Sequence, residues 1–156
     1  MNNTLTLRDI TEDDLFIFFE LQLDLEAIRM AAFPARSKDA FFQHWKDKIL
    51  KNNDSQKKTI IAGGEVAGYV LSWEQEKKLL IGYWIGKEYW GKKIATNALN
   101  EFLQHLKSRP VYAYVVEHNI ASIRVLEKCG FKILKRDHFF SEVYGHDIDE
   151  LLMELT

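Results

Sequence analysis

LLIGYWIGKEYWGKKIATNALNEFLQHL, residues Leu79 to Leu106, is the stretch on which the reading of the fold turns. Leu79 to Ile85 is an apolar and aromatic run bounded by glycine, the pattern of a buried strand. Ile94, Ala95, Ala98, Leu99, Phe102, Leu103 and Leu106 then recur at helical spacing, which predicts an amphipathic helix. Between the two lie Gly86, Gly91, Lys92 and Lys93. The first amides of a helix have no intrahelical acceptor, and the helix dipole favours negative charge there. A strand turning through glycine and lysine into a helix is therefore read as a phosphate cradle.

The flanking sequence reads as one α/β domain over residues 1–156. Leu5 to Arg8 alternates like a short strand. Thr11 with the acidic residues after it predicts a helix start running to about Leu25. Glu26 to Arg36 is expected to be an irregular or broken helix ahead of Pro34. Ser37 to Asn52 reads as a second amphipathic helix capped by Ser37. Thr59–Ala62 and Val66–Trp73 form a predicted hairpin around Gly63-Gly64. Beyond the opening stretch, Val111–Val116 reads as a strand. Asn119 opens a helix that Gly130 ends, and Phe131–Leu134 and Asp147–Leu155 supply the last strands. No repeat or linker interrupts this order.

Composition narrows the setting. With 47% apolar and 13% aromatic residues the chain suits a globular protein with a well-filled core. A formal charge of −2 provides no global field for nucleic acid or anionic lipid, so neither is an expected partner. No apolar run approaches the ~20 residues that cross a bilayer, and the N-terminus MNNTLTLRDITEDD lacks signal-peptide organisation. A cytoplasmic setting is expected. The single cysteine, Cys129, excludes an intramolecular disulfide, and the histidines lack metal-ligand spacing, so no metal is expected.

Two motifs carry a resemblance to a known family. Tyr89-Trp90-Gly91-Lys92-Lys93-Ile94-Ala95-Thr96 resembles the pyrophosphate loop Arg/Gln-x-x-Gly-x-Gly/Ala of the GNAT superfamily of acetyl-CoA-dependent N-acetyltransferases. Asn119 to Phe131 resembles the signature Asn-x-x-Ser…Glu-Lys-x-Gly-Phe, typical of the branch that includes the ribosomal-protein alanine N-acetyltransferases. The likeness runs from Leu5 to Leu155. It implies a single-domain GNAT-like α/β fold: a mixed, mostly antiparallel sheet of about seven strands, splayed between the fourth and fifth and flanked by about four helices. Two positions depart from the loop pattern. Trp90 stands where Arg or Gln is usual, and Lys93 where Gly is usual. Lysine is tolerated at 93 if the residue is helical; otherwise the missing glycine brings strain.

The resemblance also implies the site. The amides of Gly91, Lys92, Lys93, Ile94, Ala95 and Thr96 would take the pyrophosphate of acetyl-CoA, the co-substrate. Tyr83, Trp84 and Ile85 would pair their backbone with the pantetheine arm, and an Ile85 amide would polarise the thioester carbonyl. Asn119 would bond the arm from the other side, with Arg124 or Lys128 reaching the nucleotide phosphates. The tyrosine that many members place seven residues after the asparagine is Leu126 here, so Ser122 is the hydroxyl offered to the leaving thiolate. A serine near a helix start also commonly bonds backbone. Glu117 is the candidate base, with His118, Glu74 and Glu142 as alternatives, and none of the four has a motif behind it. Cys129 is expected to be an inert thiol. Met30, Phe33, Arg36, Trp45, Trp73, Trp84, Phe139, Phe140 and Tyr144 are candidates for the acceptor pocket, and equally for the core.

The expected activity is direct transfer of acetyl from coenzyme A to a primary amine, either a protein or peptide N-terminus or a small molecule. A non-catalytic acyl-CoA-binding module on the same fold is the alternative. Neither GxxxxGK[ST] nor GxGxxG is present, which sets aside P-loop and Rossmann sites. Monomer and homodimer both remain open.

Overall fold

In a computed structural model, which describes residues 4–156, the apolar runs become seven strands. The first three residues of the segment read for a signal peptide lie outside the described residues. The strands are β1 (Leu5–Arg8), β2 (Lys57–Ala62), β3 (Glu65–Gln75), β4 (Lys78–Ile85), β5 (Val111–Val116), β6 (Lys132–Ser141) and β7 (His146–Leu155). They form one sheet in the order β1-β2-β3-β4-β5-β7-β6. All neighbouring strands are antiparallel except β4 and β5. Those two run parallel and share a single registered pair, Leu80 with Tyr112. Beyond it they part, so the C-terminal halves of β4 and β5 border a gap. The expected splay is there.

Among the described residues five α-helices flank the sheet, in keeping with the expected four or so: α1 (Asp14–Leu21), α2 (Leu25–Ala31), α3 (Lys38–His44), α4 (Ile94–His105) and α5 (Ile120–Lys128). The first helix stops four residues short of Leu25 because Asp24 starts a new one, its carboxylate accepting from the Ala27 amide at 2.8 Å. Buried Gln22 holds the break in place, bonding both the amide (2.7 Å) and the carbonyl (3.1 Å) of Arg36. Ser37 caps α3 as expected, through the Ala40 amide at 3.3 Å. That helix widens into a π turn over Trp45–Ile49 instead of continuing as α-helix to Asn52. Strand β6 runs on to Ser141, well past Leu134. It is an edge strand whose residues are nearly all exposed, so it carries no apolar alternation to read.

Two apolar layers hold these parts together. On one face, Leu99, Phe102 and Leu103 of α4 and Leu126 of α5 pack against Val70, Ile81, Val111, Ala113 and Met153. On the other, Leu15 and Phe18 of α1 and Phe41 of α3 surround Trp45 against Tyr69 and Leu71. Trp45 is thus core and does not line a pocket: it is 2% exposed, with its ring centroid 4.8 Å from that of Tyr69. Burying a side chain of this kind stabilises the fold by roughly 1.5–3 kcal/mol. No helix among the described residues is long and apolar enough to cross a membrane.

Candidate coenzyme and active site

The strand, loop and helix read as a phosphate cradle form in the order expected from the sequence. After β4, Gly86 and a 3₁₀ turn over Lys87–Tyr89 lead to Gly91 and the start of α4. Gly91 has φ 77°, and a Cβ there would meet nothing within 4 Å, so glycine is needed for its dihedral and not for room. Among the described residues, the amides of Gly91, Lys92, Lys93, Ile94, Ala95 and Thr96 donate to no protein acceptor. Six consecutive free amides at the N-terminus of a helix, with the exposed Lys92 and Lys93, fit a pyrophosphate in both charge and donor capacity. The two departures from the family pattern have separate consequences. Lys93 takes φ 63° and ψ 14°, so the helical alternative does not hold and the residue sits in the left-handed region that glycine favours. Trp90 ties the loop back to its own strand, its indole donating to the Ile85 carbonyl at 2.9 Å.

Strand alternation assigns the two sides of β4. Gly86 donates to the Ala67 carbonyl on β3 at 2.8 Å, so Ile85 and Tyr83 turn their amides the other way, into the gap. Trp84 points its amide edge at β3, where it is registered with Tyr69, and only a glycine fits at the neighbouring position: a Cβ on Gly68 would overlap the Trp84 carbonyl oxygen. Trp84 is therefore not a backbone partner for a ligand in the gap. Its side chain lies towards the α1–α2 layer, donating to the Leu21 carbonyl at 3.3 Å and meeting Phe33 edge-on at 6.4 Å. Arg36 covers Phe33 from 5.5 Å. Of the nine residues offered for acceptor recognition, the structure joins these three. Tyr144, in the β6–β7 turn, reaches the same helical layer by donating to the Arg29 carbonyl of α2 at 2.7 Å, and His118 meets that carbonyl at 2.8 Å. Trp73 lies apart, far down β3 beside Gln75.

On the opposite side of the gap, Asn119 caps α5 by accepting from the Ser122 amide at 3.2 Å. The Ser122 hydroxyl does not turn to backbone. It pairs with the hydroxyl of Tyr83 at 2.7 Å, a contact that joins α5 to β4. Burial is the main reason the Tyr83 phenol is pushed up to about 12, with the Ser122 bond opposing and Cys129 adding to the shift. Buried Leu126 fills the place of the family's tyrosine. Arg124 and Lys128 stand one turn apart on α5, exposed and without ion-pair partners among the described residues. The last turn of α5 abuts the cradle, where the Cys129 thiol meets the Thr96 carbonyl at 3.7 Å. Burial pushes that thiol up, as for an inert group.

Glu117, at the end of β5, has its carboxylate ion-paired with the Arg136 guanidinium of β6. Glu74 pairs in register with Leu79, at the far end of β4 from the gap. Glu142 is exposed in the β6–β7 turn. The Tyr83 hydroxyl was missed by sequence reasoning. Its signal is positional: alternation puts Tyr83 on the helix-covered face of β4, where a buried phenol needs a partner.

The fold is shared with known proteins. Residues 4–132 match the family model described as an acetyltransferase (GNAT) domain, and the chain belongs to that family. No curated protein sequence matches it. Among solved structures, the fold is similar to that of spermidine N-acetyltransferase from Vibrio cholerae in complex with CoA and spermine. That match has a TM-score of 0.84 at 19% identity and covers 97% of this chain and 94% of the other. It is also similar to the microcin C7 self-immunity acetyltransferase in complex with acetyl-CoA and AMP, with TM-score 0.80, 20% identity, and 98% and 92% covered. A GNAT-family acetyltransferase from Bacillus anthracis gives TM-score 0.76 at 19% identity, with 99% and 96% covered.

Proposed function

We propose that this chain is an acetyl-CoA-dependent N-acetyltransferase that moves the acetyl group directly to a primary amine. The observation that carries the reading is the run of unpartnered amides from Gly91 to Thr96 opening beside the β4–β5 gap. Those amides with Lys92 and Lys93 hold the pyrophosphate. Arg124 and Lys128 supply further positive charge from α5. The Tyr83 and Ile85 amides and Asn119 bracket the pantetheine arm, and the Ile85 amide is the oxyanion donor to the thioester carbonyl. Ser122 serves the departing sulfur. Glu117 takes the amine's proton once it exchanges Arg136 for the acceptor. The amine enters from the α1–α2 side, past Phe33, Arg36 and Trp84.

Titration calorimetry with acetyl-CoA, followed by thiol release over an amine and peptide panel, tests the reading. Polyamines form the first arm, since the Vibrio enzyme is a spermidine N-acetyltransferase. Acetyl-CoA binding together with acetylation of any amine supports it. Leu126 in the tyrosine's place favours one rival, a non-catalytic acyl-CoA-binding module. Binding without transfer to any acceptor would select that rival.

A further inference from the structure

The hydroxyl pair across the gap bears on how the leaving sulfur is handled. Tyr83 comes from β4 and Ser122 from the first turn of α5, and their oxygens are 2.7 Å apart. Neither hydroxyl has another side-chain or carbonyl partner among the described residues. One must donate and one accept. A phenol is the stronger donor and an alkyl hydroxyl the stronger acceptor, so the pair orders itself with Tyr83 donating and the Ser122 proton left over. We propose that Tyr83 is a positioning residue for the transfer, fixing Ser122 so that the serine's own proton is aimed into the β4–β5 gap at the sulfur that leaves the acetyl carbon. This rests on the transferase reading.

The chemistry balances without a phenolate. The amine nitrogen forms a bond to the acetyl carbon, the carbon–sulfur bond breaks, the amine gives up one proton to base or water, and the sulfur gains one from solvent. Ser122 stabilises the sulfur's developing charge by hydrogen bonding, and Tyr83 polarises that hydroxyl. Burial keeps the phenol protonated across the working pH range, so the donor is always armed.

The pair is tested with Tyr83→Phe, Ser122→Ala and the double variant, measured three ways. Calorimetry should give acetyl-CoA affinities within about twofold of the parent for all three, because the cradle is elsewhere. With bound coenzyme A, the ultraviolet absorbance of the thiolate reports the thiol's pKa. In the parent this should lie below the ordinary thiol value of about 8.5, and it should return towards that value in each variant. Turnover should fall on the order of tenfold in Tyr83→Phe and further in Ser122→Ala. The double variant should be no slower than Ser122→Ala, since Tyr83 acts only through the serine. A Tyr83→Phe protein with parental turnover and parental thiol pKa overturns the proposal, as does a double variant whose losses multiply. If Tyr83→Phe proves unstable, Ser122→Ala removes the pair from the other side and must move the thiol pKa by itself. A parent that binds acetyl-CoA but acetylates nothing sinks the transferase reading. An active parent with an inert Tyr83→Phe substitution sinks only this one.

Discussion

At Lys93 the left-handed backbone costs a residue with a Cβ about 1–2 kcal/mol, and the side chain returns a positive charge at the mouth of the cradle. The two effects separate by mutation. Lys93→Gly relieves the strain but makes the unfolded chain freer by about 0.4–1 kcal/mol, so a net gain on the order of 0.5 kcal/mol is expected in urea denaturation. Acetyl-CoA binding should then weaken severalfold at low salt and depend less steeply on ionic strength, because a screened attraction has been lost. Unchanged salt dependence would remove the Lys93 ammonium from coenzyme binding. Sequence shows that a lysine replaces a glycine here. Only the dihedral shows that the replacement is strained.

In the proposed site, the strand-loop-helix from β4 to α4 offers the coenzyme its amides more than its side chains. Gly91→Val tests this directly. The φ of 77° resists a β-branched residue, while the empty space around the absent Cβ means that no packing is disturbed. A stability loss of about 1–3 kcal/mol is expected, with the fold retained by circular dichroism and acetyl-CoA binding lowered more than tenfold. Intact binding would mean that the phosphates sit elsewhere. This element was legible because strand, glycine and helix signals agree along it. So was the β2–β3 hairpin, where Gly63-Gly64 turns the chain. The α1–α3 region read less well, and for a physical reason. Asp24 and Gln22 decide where its helices break, one by a cap and the other by a bond to Arg36 fourteen residues away. Only the cap is visible as local pattern. The same distinction holds in the site. Asn119 and Ser122 were found by motif, whereas the partnership of Ser122 with Tyr83 joins residues 39 apart in sequence and needs the fold to appear.

On the scale of the whole molecule, one buried carboxylate links the opening strand, the first helix and the sheet. Asp14 of α1 is 3% exposed and takes two bonds from the Arg8 guanidinium of β1, at 2.7 and 2.9 Å. It accepts a third from the Thr59 hydroxyl of β2 at 2.7 Å and a fourth from the Thr11 amide at 2.9 Å. Burial alone would raise this acid. The bonds from Arg8, Thr11 and Thr59 outweigh it and hold the carboxyl at about 2. A group depressed on folding stabilises the native state above its unfolded value, near pH 3.9, and that contribution is lost as pH falls through about 2. At 1.36 kcal/mol per unit the contribution is on the order of 2 kcal/mol at neutral pH, less whatever solvent screens at the partly exposed Arg8. Asp14→Asn keeps the shape and removes the charge, so it should cost about 2 kcal/mol or more at pH 7, with Arg8 left without its counter-charge. Urea denaturation should show the gap between parent and variant shrinking from pH 4 downwards, and acetyl-CoA affinity at pH 7 should not change. A gap that stays constant down to pH 2 would mean that Asp14 stabilises the fold as a hydrogen-bond acceptor and not through its ionisation. A lost affinity would mean that the β1–α1–β2 corner and the cradle are coupled, through the sheet or through α4, which packs on β1.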